Sequence, residues 1–98
     1  MTDQSTYTPP APHTQEDIDA LVSFIQARVE PLRDAARYGT EEHKALQALL
    51  DLTVYIMGAA QAKLARGDDP HMQFHYLALV TRRWDDHPDF QSAWDPYS

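Results

Sequence analysis

The chain contains no cysteine. That absence removes disulfides, thiolate catalysis, iron-sulfur ligation and every cysteine-based zinc motif, so any metal would rest on histidine and carboxylate ligands. Glycine is scarce, and its three residues are too scattered to build a phosphate-cradling loop. Neither Ser23 nor Ser92 stands in the glycine-framed turn that presents a nucleophile. Basic residues are few: eight Lys plus Arg face fifteen Asp plus Glu, for a formal net charge of -7. Because phosphate contacts dominate DNA affinity, direct nucleic-acid binding through a conventional recognition helix is not expected. No run approaches the roughly 20 apolar residues of a membrane span. The stretch Met1 to Gln15 has neither the basic start nor the apolar run of a targeting peptide. These absences lead to the expectation of a cytoplasmic protein with no cofactor, no direct nucleic-acid partner and no membrane partner.

What is present fits one small domain. Of the 98 residues, 43% are hydrophobic and 10% aromatic, a globular rather than a disordered composition. Surface scaling allows about 65% of the unfolded chain's area to be buried at this size, enough for one modest core. Residues 1–14, with Pro9, Pro10 and Pro12 among Ser, Thr and Gln, show no periodicity and read as a flexible, proline-rich arm. Residues 15–98 read as a single helical domain.

Three helices are predicted in that domain. Thr14 before Gln15, Glu16 and Asp17 has the chemistry of a helix start. Ile18, Leu21, Val22, Ile25, Val29, Leu32 and Ala36 then recur at three- and four-residue steps. Pro31 interrupts that stripe without shifting its phase, which predicts one kinked helix closed by Gly39. Thr40 repeats the start signal, and the pattern through Ala65 forms a long central helix. Its apolar face runs past half the circumference and predicts cover on more than one side. Gly58, Ala59, Ala60 and Ala62 form a small-residue patch that core packing within the monomer would explain; the alternative is self-association, with Leu52, Tyr55, Gly58, Ala59 and Ala62 as the candidate dimer seam. Gly67, Asp69 and Pro70 predict a stop, a cap and the first turn of a third helix reaching about Arg83. Pro88 to Trp94 is long enough for a short fourth helix. The predicted fold is an all-α, three-helix up-down-up bundle with that appendage.

Candidate chemistry is thin. His71 and His75 are four apart, the spacing of many zinc-binding pairs, with His87 as a possible third ligand. No glutamate follows the first histidine, so the metalloprotease arrangement is missing, and no metal is expected. The acid pairs Glu16-Asp17, Glu41-Glu42 and Asp68-Asp69 fall at expected helix starts and connections, where capping and the helix dipole explain them. Asp85-Asp86 has no such explanation. Charge is uneven: -3 over residues 1–17, 0 over 18–38, -2 over 39–69, +2 over 70–84 and -4 over 85–98.

Leu77-Ala78-Leu79-Val80 leading into Trp84-Asp85-Asp86-His87-Pro88-Asp89-Phe90, with Trp94 beyond, resembles the ending of a family of small uncharacterised proteins from actinobacteria and their phages. Those proteins end in a leucine-rich helix, an aromatic-x-Asp-His-Pro-Asp-aromatic motif and a tryptophan. The segment Leu21 to Val29 is similar to their first helix. The resemblance implies a bacterial or phage-infected cytoplasm and no assigned activity. It directs attention to Trp84, Asp86, His87, Asp89, Phe90 and Trp94 as a candidate partner-binding surface, since tryptophans concentrate binding energy at interfaces. The structural alternative is a rigid turn in which Asp86 caps, Pro88 opens the next turn and His87 bonds a nearby carboxylate or carbonyl. The combined expectation is a non-enzymatic interaction module that binds a host protein of unknown identity. A homodimer is expected through the central helix or the aromatic ending. The alternatives are an acidic nucleic-acid mimic and a histidine-based metal protein.

Overall fold

Thr14 opens the first helix through two reciprocal hydrogen bonds. Its hydroxyl accepts the Asp17 N–H at 3.2 Å, and the Asp17 carboxylate accepts the Thr14 N–H at 2.8 Å, so free donors at the helix start are satisfied. From this cap α1 runs over Gln15–Ala35 and continues through Pro31. The computed structural model describes residues 12–95, so most of the expected arm lies outside the described residues. Its last part is not free: the His13 N–H donates to the Asp69 carboxylate at 3.1 Å, and the His13 ring stacks on Phe74 with centroids 4.0 Å apart.

Helix α1 stops short of the expected glycine terminator. The Ala36 N–H is shared between the Leu32 and Arg33 carbonyls and the backbone then turns extended. Gly39, with φ +86°, serves the following turn instead, which closes through the Thr40 hydroxyl donating to the Arg37 carbonyl at 2.7 Å. The same hydroxyl accepts the His43 N–H and caps α2, Glu41–Ala65. That helix ends as expected. Gly67 takes φ +81°, the Asp68 N–H returns to the Lys63 carbonyl at 2.9 Å, and the Gly67 N–H returns to the Leu64 carbonyl at 3.0 Å, a left-handed glycine termination.

Helix α3, His71–Thr81, departs from expectation at both ends. Pro70 is the cap position itself, buried and with no side-chain cap bond, because the Asp69 carboxylate is turned to His13. At the far end the Thr81 hydroxyl donates to the Ala78 carbonyl, and the chain tightens into a 3-10 turn over Arg82–Trp84. The expected fourth helix is also absent: the segment holds only a 3-10 turn at Ser92–Trp94. Seven residues are too few to repay helix nucleation in isolation, and the local bonds are separate three-residue closures, His87 to Trp84, Phe90 to His87 and Trp94 to Gln91.

The contacts fix the helix directions. His13 at the start of α1 meets Asp69 just after α2, while Arg33 near the end of α1 donates to Gln47 in the second turn of α2 at 3.0 Å. Helix α2 therefore runs back along α1, and α3 starts beside His13 and returns in the direction of α1. The described residues are all helical or irregular, with no strand. Helix α1 supplies most of the core through Ile18, Leu21, Val22, Phe24, Ile25 and Val29, joined by Leu50, Ala60, Leu77, Ala78 and Trp94. Leu32, placed by its spacing on the same stripe, is exposed. Two threonines are buried without penalty, because Thr53 donates to the Leu49 carbonyl and Thr81 to that of Ala78.

Candidate functional site

The aromatic ending is drawn into the core. Trp94 is 3% exposed and sets its ring edge-on to Phe24 at 5.1 Å and to Phe90 at 5.5 Å. Trp94 is thus unavailable as a surface anchor, and Phe90 and Trp84 are partly buried against the same cluster. Phe24, which lies off the α1 stripe by simple periodicity, is buried because this returning segment covers it. His87 organises the turn differently from expectation. Its Nδ1 accepts the Asp89 N–H at 3.0 Å and its Nε2 abuts the Arg28 guanidinium, with the ring edge-on to Phe24. Neither a carboxylate nor a backbone carbonyl is its partner, and the His87 ring rather than Asp86 closes the turn. Asp86 and Asp89 remain exposed beside it.

The histidines do not assemble. His71 and His75 are exposed on α3, and the His71 ring lies 5.7 Å from that of His13, whereas His87 is held at Arg28, well along α1. Among the described residues no three His, Asp or Glu side chains are grouped as metal ligands would be. One carboxylate is perturbed: partial desolvation raises the Asp69 pKa, but hydrogen bonds from the His13 N–H and ring, with the nearby charges of His13 and His71, outweigh it and hold the group below its ordinary value.

The outer side of α2 and α3 is different in character. Only Leu50, Thr53 and Ala60 of the 25-residue α2 are buried. Tyr55 is 75% exposed, Leu52 52%, Leu79 53%, Met72 46% and Tyr76 44%. A groove of about 540 Å³ between α2 and the end of α3 is lined by Leu49, Leu79, Val80, Arg82, Arg83 and Trp84. The Arg82 Nε is buried there without a hydrogen-bond partner. A second groove of about 580 Å³ lies at the α1–α2 turn and is walled by Tyr38, Gly39, His43, Lys44, Gln47, Ala48 and Asp51. Helix α2 is also long and apolar enough to cross a membrane by length and composition, although charged residues interrupt any continuous apolar run.

Comparison with protein-family models, curated proteins and solved structures finds no match. The likeness to the actinobacterial and phage family stands on the quoted residues alone. The candidate seam residues Leu52, Tyr55, Gly58 and Ala62 are exposed and Ala59 is half-buried, and an added Cβ at Gly58 would meet no atom within 4 Å. Met72, Tyr76 and Leu79 are further large apolar side chains left exposed, on α3, at steps of four and three. Their spacing was legible in the sequence, but it resembles that of a core stripe.

Proposed function

We propose that this chain is a non-enzymatic protein-interaction module that acts through the outer side of α2 and α3, as an accessory protein of a bacterial or phage-infected cytoplasm that binds and modulates a host protein. The observation that supports it is the row of large apolar side chains left in solvent there, Leu52 and Tyr55 on α2 with Met72, Tyr76 and Leu79 on α3. Contiguous exposed apolar surface rimmed by polar groups marks interaction sites in soluble proteins, and tyrosine and methionine are enriched at interface centres. None of these side chains belongs to the buried core. Affinity capture from the native cytoplasm, with the parent chain and with a Tyr76→Asp, Leu79→Asp double variant, tests the reading. Proteins retained by the parent and lost by the folded variant support it; identical captures from both remove it.

A further inference from the structure

We propose that the outer face of α2 is the seam of an antiparallel homodimer, in which α2 of one chain packs along α2 of a second copy. The inference rests on the reading of this side as an interaction surface, and it names the first occupant.

Ala48, Leu52, Tyr55, Ala59 and Ala62 follow one another at steps of four, three, four and three along α2. That is the spacing of a helix-to-helix seam, distinct from the core stripe through Leu50, Thr53 and Ala60, which faces α1 and α3. After Ala48, two large residues are followed by two small ones. If two copies packed in parallel, Leu52 and Tyr55 would each meet their own kind, and Ala59 and Ala62 would leave a gap beyond them. Turned antiparallel, Leu52 faces Ala62 of the second copy and Tyr55 faces Ala59 of the second copy, so the four central layers each pair one large with one small side chain, with Ala48 at the margin. Close packing favours the arrangement that fills volume evenly. Gly58 flanks the seam near the two-fold axis, with open space where its side chain would be, which lets the helices approach to the short end of the usual 8–10 Å.

Charge permits the same partner. Each copy carries -7, so two copies repel except where charge is missing. From Leu52 to Ala62 α2 has eleven residues without a charge, and α3 from His71 to Thr81 has no Asp, Glu, Lys or Arg. Leu52 and Tyr55 supply most of the exposed apolar area of the seam itself; the two copies reach the lower end of stable interfaces, about 1,200 Å², when Met72, Tyr76 and Leu79 of α3 are buried at its flank as well. A two-fold pairing uses the same patch twice, as closed dimers do.

The test uses the full chain. Sedimentation equilibrium from about 1 to 100 μM should show a mass twice 11.2 kDa, and Tyr55→Asp should raise the dissociation constant about 100-fold or more while helical circular dichroism is unchanged. Orientation follows from cysteine placement, since the chain has none of its own. Chains carrying Leu52→Cys and Ala62→Cys should couple to each other through a short bismaleimide, and neither should couple to itself. Self-coupling of each variant alone overturns the antiparallel seam. A monomer throughout the range overturns the dimer, as does a monomer that co-sediments with phosphatidylcholine vesicles. In the first of those cases the capture experiment with Tyr76→Asp, Leu79→Asp still decides separately whether the face binds another protein.

Discussion

Replacing Trp94 by alanine separates a core role from a surface role at the aromatic ending. The indole is 3% exposed and lies edge-on to Phe24 and Phe90, with ring centroids 5.1 and 5.5 Å away. Truncating a tryptophan in a fully enclosed site costs about 3–5 kcal/mol. Trp94 sits in a three-residue turn near the end of the described chain, so the loss is capped by the energy that holds residues 85–95 to α1, and about 3 kcal/mol is the expected figure. At this size that lowers Tm by about 10–20 °C. The assay is thermal and urea unfolding followed by circular dichroism, with emission of Trp84, then the only tryptophan, reporting the same segment. Its emission should shift red at lower denaturant than the helical signal is lost, because detachment of the segment precedes unfolding of the bundle. A Phe24→Ala variant should be non-additive with Trp94→Ala, with a coupling of about 0.5–1.5 kcal/mol for the aromatic pair. A Tm within a few degrees of the parent, with unshifted Trp84 emission, would refute the assignment of Trp94 to the core.

Other outcomes follow from single positions. Thr14→Ala deletes the hydroxyl that accepts the Asp17 N–H, leaves the backbone N–H bond to the Asp17 carboxylate in place, and should cost about 1 kcal/mol in urea unfolding, with Thr14→Ser restoring most of it. Gly58→Ala should raise the stability of the dilute chain by about 0.5–1 kcal/mol, because its Cβ enters open space on an exposed helix; destabilisation at concentrations where the chain is monomeric would contradict the open environment. Asp69→Asn probes linkage. The folded pKa of Asp69 is depressed, so its contribution is present above the ordinary carboxylate pKa and is lost as pH falls through the lower folded value. The variant should therefore be less stable than the parent near neutrality and equal to it in strong acid, and a difference that persists when carboxylates are protonated would exclude this origin.

Local rules carried most of the fold. Thr14, Thr40 and Gly67 each did what their chemistry predicts, because capping and left-handed termination depend on a few residues adjacent in the chain. The misses share a cause in tertiary competition. Asp69 did not cap α3 because His13, 56 positions earlier, took its carboxylate. Leu32 keeps the helical phase yet is exposed, since periodicity places a residue on a face without showing whether a neighbour reaches it. Phe24 and Trp94 define the reverse error. Neither extends a stripe, but the return of the chain after Pro88 brings them together and closes the core, so Trp94, expected at a contact surface, is buried against Phe24.

Helix α2 shows how far composition alone reaches. A helix apolar over more than half its circumference must be covered on more than one side or leave apolar area in water. The sequence supplies the breadth of that face; only the fold shows how much is covered within the chain. Here α1 and α3 bury Leu50, Thr53 and Ala60 and leave Leu52, Val54 and Tyr55 exposed. The uncovered part is not random in order. It has its own seven-residue spacing, out of phase with the core stripe, and no charge along eleven positions of a chain carrying -7. Solubility alone would favour charges at those sites, as at Glu41, Glu42 and Lys44 on the same helix. A second stripe that the monomer does not use, free of charge from Leu52 to Ala62 and with Leu52 and Tyr55 followed by Ala59 and Ala62, is what the proposed second copy of α2 running the other way would fill.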